Sequence, residues 1–127
     1  MTGLELIAKE RERQISKEGY TPEHDDEHDL GELALAAALY ALPYDAKQGD
    51  EPLITQEDFI GLHIALETGC NFIVKPEPDK IKRLAKAGAM LAAEIDRVKR
   101  AAGQVQEIES DIKRGLWNQP GPNEDDD

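Results

Sequence analysis

Ile81, Leu84, Gly88, Leu91, Ile95, Val98 and Ala102 follow one another at intervals of three and four residues. A strand does not repeat on that period. A helix does, and it gathers these side chains into one apolar seam in which Gly88 allows a close helix contact. Val105, Ile108 and Ile112 extend the pattern past Gly103. An isolated bundle needs only one side of such a helix, so the seam predicts a homo-oligomer.

The rest of the chain reads as helices separated by breakers. A first helix is expected from Leu4 to Glu18, with Leu4, Ile7, Arg11 and Ile15 near helical spacing and Gly19 as its stop. Tyr20-Thr21-Pro22 makes an ordered turn, because Pro22 disfavours helix at Thr21. A second helix starts between Glu23 and Leu30 and ends before Pro43. Leu33, Ala34, Ala37, Ala38 and Ala41 form one face, and Leu35, Leu39 and Leu42 widen it, so most sides are buried. Tyr44 to Ile54 carries Gly49 and Pro52 and reads as a loop. Thr55 and Asp58 resemble a cap for a third helix, Gln56 to about Thr68, closed by Gly69. The stretch 71–75 is too short to assign, and Pro76 and Pro78 then punctuate the chain. The expected fold class is all-α: a compact bundle of about four helices in one domain, residues 1–114. A flexible acidic tail, 115–127, follows, from which Trp117 docks on the body or on a second subunit.

Aromatic residues make up 5% of the chain, so Leu, Ile and Ala fill the core, and alanine lets helices approach closely. The formal net charge is −12, which opposes binding to a nucleic-acid backbone. Cys70 is the only cysteine; no internal disulfide can form, and a reducing host-cell cytoplasm is the expected compartment. Without a flanking His or basic residue, Cys70 reads as structural. No apolar run approaches the ~20 residues of a membrane span. Met1-Thr-Gly-Leu-Glu5 lacks the basic and apolar regions of a signal peptide.

Charge is unevenly spread. Between Glu18 and Glu32 stand seven acidic residues and no Lys or Arg; from Lys75 to Arg100, eight basic residues meet four acidic ones. Carboxylates that hold a divalent cation, opposite cations that neutralise phosphate, are a recurrent arrangement for phosphate chemistry. On a continuous helix His24, His28 and Glu32 would be successive i, i+4 neighbours, with Asp25 and Asp29 on the adjacent strip. Two histidines and a carboxylate suit Zn²⁺; carboxylates alone suit Mg²⁺ or Mn²⁺. The bland alternative is an acidic helix N-terminus stabilised by the macrodipole. Glu32 sits on an apolar helix, so it must find a partner or a metal. Glu94 lies beside the seam, where it could complete a carboxylate site. Lys82, Arg83 and Lys86 lie off the seam and are the phosphate-binding candidates, against a solvated face as the alternative. Arg11, Arg13 and Gln14 reach either a bound anion or surface ion pairs. His63 reads as an ordinary half-buried histidine.

The strings Glu10-Arg-Glu-Arg-Gln14, Glu18-Gly-Tyr-Thr-Pro-Glu-His-Asp-Asp-Glu-His28 and Gly31-Glu-Leu-Ala-Leu-Ala-Ala-Ala-Leu-Tyr40 resemble a family of small uncharacterised phage and prophage proteins. Lys82-Arg-Leu-Ala-Lys-Ala-Gly-Ala-Met-Leu-Ala-Ala-Glu-Ile-Asp-Arg97 resembles that family's C-terminal helix. Here 45–72 stands where the family has a short Trp-Pro-rich connection. More distantly the chain resembles MazG-like all-α nucleotide pyrophosphohydrolases, in which paired acids on two helices hold Mg²⁺. Asp29 and Glu32 have the spacing of the first pair; Glu94 is followed three positions later by Arg97 rather than by an acid. A short match, Glu18-Gly-Tyr-Thr21 with Asp25, Asp26 and His28, resembles the ryanodine-receptor repeat domain and implies ligand or protein binding.

Two functions from different classes follow. In the first, a phage-type enzyme cleaves a nucleoside triphosphate between its α and β phosphates. Asp25, Asp29 and Glu32, with Glu94, would hold Mg²⁺ (or Mn²⁺ or Zn²⁺). Lys82, Arg83 or Lys86 would hold phosphates, and His24 or His28 would move a proton or ligate the metal. In the second, a non-enzymatic accessory protein binds a nucleotide or a host protein, as a counter-defence or decoy protein would.

Overall fold

The computed structural model describes residues 1–69 and 74–113, and these are mostly helical. Helix α1 runs Gly3–Lys17 and starts one residue before the expected Leu4, because Thr2 and Glu5 form a reciprocal capping box. Gly19, at φ +77°, turns the chain. Thr21 then caps the single-turn helix α2, Pro22–Asp26, with Pro22 in the first position, where no N–H is needed. The expected second helix is therefore two helices. Gly31, at φ +91°, breaks the path and leads into α3, Glu32–Ala41.

In the expected loop, Lys47–Gln48 (β1) pairs antiparallel with Glu51–Pro52 (β2) around Gly49, which has φ +66°. Helix α4, Gln56–Ile64, begins at a Thr55 cap and widens into a π turn, Ala65–Gly69. Helix α5, Lys80–Lys113, is continuous through Gly103.

Two compact units divide the chain, Met1–Ile95 and Asp96–Asp127. In the first, the core is built on α3. Leu33, Ala36, Ala37 and Leu39 meet Leu66, Val74, and Met90 and Ala93 of α5. Alanine is frequent here, as the scarcity of aromatics predicts, and Tyr20, Tyr40 and Phe59 pack at its margin. Gly88 supplies the close contact its sequence position suggests. A Cβ there would stand 2.5 Å from Ile7 Cδ1 of α1.

The rest of the seam faces outward: Ile81, Leu84 and Leu91 are exposed, as is Ile95. The buried side of α5 in this unit is Arg83, Ala85, Ala87, Ala89, Met90 and Ala93. Of the second unit, 96–113 is described, as the later part of α5, and there Val98 and Ile112 are exposed. The side chains of Val105 and Ile108 lie outside the described residues, as do Cys70 and the tail with Trp117. No helix among the described residues is long and apolar enough to cross a membrane.

Candidate functional site

The acidic-histidine run is tied into a buried network rather than displayed along one helix face. Asp25 is fully buried, and both its oxygens are engaged. Arg11 Nη2 donates to Oδ2 at 2.9 Å, and His24 Nδ1 lies 3.0 Å from Oδ1. Arg11 also donates to the Tyr20 carbonyl at 3.2 Å, which ties α1 to the turn before α2. The Tyr20 ring stacks on His24 at 4.6 Å, and the His28 ring follows at 4.6 Å from His24.

Glu32 opens α3 and is 3% exposed. Its Oε1 accepts the Leu30 N–H at 2.6 Å, and its Oε2 lies 3.1 Å from His28 Nδ1. Burial would raise its carboxyl. The Glu32 backbone N–H, the His28 ring and the Leu30 N–H outweigh that effect and hold it below its ordinary value. His28 and Glu32 thus meet across the break at Gly31. Each histidine offers Nδ1 to a buried carboxylate, the arrangement that fixes ring orientation.

A second network borders it. Arg13 reaches Glu10 at 2.8 Å and Glu18 at 3.0 Å, and Lys75 Nζ donates to Glu18 at 2.6 Å. Lys75 and Arg13 lower the Glu18 carboxyl. Gln14 is buried beside them; its Nε2 lies 3.4 Å from Glu10, and its Oε1 has no hydrogen-bond partner. Gln14, Tyr20, Tyr40 and Lys75 help line a cavity of about 10 Å³, room for about one water.

The three basic candidates separate. Lys82 is exposed. Lys86 pairs with Glu77 at 3.1 Å and lies 5.7 Å from the Tyr40 ring centre. Arg83 is buried: Nε donates to the Tyr40 carbonyl at 3.1 Å, Nη1 to the Tyr44 hydroxyl at 2.7 Å, and the guanidinium lies 4.4 Å over the Tyr44 ring. Its Nη2 stands 4.0 Å from Asp45, too far for a hydrogen bond.

Arg83 also lines an open cleft of about 730 Å³ within the first unit. Tyr44, Phe59 and His63 form a run of rings along it, with centres 5.6 and 5.1 Å apart. Pro52, Ile54, Val74, Pro76 and Pro78 add apolar surface, and Thr55, Gln56, Lys75 and Glu77 add polar groups. Tyr40, at the inner edge, has its hydroxyl pushed up to about 12, chiefly by burial. His63 is half-buried as expected; it pairs with Glu67 at 3.1 Å and belongs to this wall.

Of the residues the sequence singles out, His24, Asp25, His28 and Glu32 are brought together. Asp29 is exposed, and Glu94 is half-buried on α5. Among the described residues, no group of three or more His, Cys, Asp and Glu is placed to hold a metal ion. Sequence reasoning passed over Tyr40, Tyr44, Phe59 and Lys75, which come from separate segments and carry no shared motif. Compared with protein-family models, curated proteins and solved structures, the chain matches none of them.

Proposed function

We propose that the chain is a non-enzymatic, phage-type accessory protein that binds a nucleotide-class small molecule in the cleft beside Tyr44 and Phe59. The observation that supports this most is the cleft itself: about 730 Å³, lined by three adjacent rings and by Arg83. That volume falls in the usual range for small-molecule sites, about 300–1,000 Å³, and apolar walls with few polar groups are their usual makeup. The resemblance to small phage proteins fits an accessory role but names no ligand.

The metal-dependent pyrophosphohydrolase is the second reading. The paired histidines favour it, since each is oriented by a buried carboxylate. Against it, Asp25 already neutralises Arg11, and Glu32 is engaged by His28 and a backbone N–H. Neither carboxylate offers an uncommitted oxygen to Mg²⁺ or Mn²⁺.

Incubation with a nucleoside triphosphate panel and Mg²⁺ or Mn²⁺, with Glu32→Ala as control, separates the two. The binding reading predicts ligand retention, unaffected by chelator, with no product. Metal-dependent release of pyrophosphate that Glu32→Ala abolishes would replace it with the hydrolase.

A further inference from the structure

We infer that the cleft takes its ligand base-first and holds no more than one phosphate, which makes its ligand a nucleoside or nucleoside monophosphate. This rests on the binding reading above and narrows it. The argument is one of charge. Lys75, at the cleft wall, is committed to Glu18 at 2.6 Å, and Lys86, just behind it, to Glu77 at 3.1 Å. Among the cations at or just behind the described wall, only Arg83 has no carboxylate within hydrogen-bond distance, and two of its nitrogens already serve Tyr40 and Tyr44. Its remaining N–H groups, both of Nη2 and one of Nη1, lie on a single guanidinium and carry one positive charge, enough to balance one phosphate group, in competition with Asp45.

A triphosphate would bring several further negative charges into a chain of net charge −12, beside Glu77 of the wall and Asp45, which stands 4.0 Å from Arg83. Among the described wall residues, no cation besides Arg83 is left without a carboxylate to receive them. The remainder of the cleft suits a base. Tyr44, Phe59 and His63 present ring surface, and base–aromatic stacking is tolerant of base identity. Gln56, exposed at the first position of α4 and part of the wall, carries a donor and an acceptor on one amide, as a base edge requires.

The test is calorimetric titration, in EDTA at fixed ionic strength, of the four common nucleosides and their mono-, di- and triphosphates. One nucleoside and its monophosphate should bind with comparable affinity. Each phosphate beyond the first should weaken binding, by about fivefold per charge. Gln56→Leu, at an exposed position that leaves the core untouched, should weaken the nucleoside about tenfold. Phe59→Leu should do so more strongly.

A triphosphate that binds ten or more times tighter than its nucleoside would overturn the one-phosphate inference and leave the binding reading in place. Absence of binding across the panel would overturn both, as would binding indifferent to Gln56→Leu and Phe59→Leu alike. A change in the protein's mass in solution caused by these two variants, without ligand binding, would assign the cleft to a second copy of the chain and also overturn both.

Discussion

The network around Asp25 and the cleft beside Tyr44 hold similar groups, charged side chains against aromatic rings, and dispose of them differently. Around Asp25, Arg11, His24, His28, Glu32 and the Leu30 N–H pair with one another, with both carboxylates buried and the cationic and imidazole partners half-buried. Beside Tyr44 the rings and Arg83 border open space. A buried ion pair pays for its desolvation only when its partners are in place, so the first region behaves as a brace between α1, α2 and α3. The second has surface left to offer. On the proposed reading, a dense local run of acids and histidines serves as a structural joint, and the ligand surface lies among sparser residues.

The largest effect should come from breaking the brace. Asp25→Ala leaves Arg11 half-stranded and should cost about 3–5 kcal/mol in chemical denaturation. Replacing both partners, Arg11→Met with Asp25→Leu, should recover part of that loss. A double variant as unstable as the single would show that the pair does more than balance charge.

A smaller effect is expected at the cleft edge. Tyr44→Phe keeps the ring but removes the acceptor for Arg83 Nη1, and should cost about 1.5–3 kcal/mol, read by thermal or chemical unfolding. An unchanged stability would mean that solvent already satisfies that guanidinium.

Acid should loosen the carboxylate networks around Glu32 and Glu18. Glu32 and Glu18 have folded-state values below the unfolded one, so folding holds them ionised. Their contribution is complete above the ordinary carboxylate value of 4.5 and is lost as pH falls through the depressed folded values. Unfolding measured across that window should show stability falling with pH, and Glu32→Gln should flatten part of the fall. An identical acid limb in the variant would remove Glu32 from the account.

The smallest effect is expected at Gln14, whose Oε1 is buried without a partner. Gln14→Met removes that unsatisfied acceptor together with a long bond to Glu10, and should change stability by less than about 1 kcal/mol. A larger loss would place an ordered water in the cavity beside it.

Much of the fold was legible in the sequence because breakers and periodicity are local. Gly19, Pro22, Thr55 and the apolar repeat of α5 each point to an element that exists. Two things were not. Glu23 to Ala41 gives no clear signal of a break beyond Gly31, whose positive φ divides the helix. The α5 repeat also says nothing of which face is covered, and small side chains at 85, 87, 89 and 93 let the opposite face pack inward. Of the candidate site, the network was legible by residue, since carboxylates and histidines stand close in sequence; their mutual neutralisation was not. The cleft is assembled from 39–44, 52–63, 74–78 and Arg83, so no local pattern announces it.

The central claim, that the cleft binds and the acidic network braces, is tested most directly by amide chemical-shift mapping with a nucleoside monophosphate and, separately, with Mg²⁺. The expected result is ligand-dependent shifts at Tyr44, Thr55, Gln56, Phe59 and Lys75, with no Mg²⁺-dependent shifts at Asp25, Asp29 or Glu32. Shifts centred on His24 to Glu32 that require Mg²⁺, with the cleft silent, would contradict it.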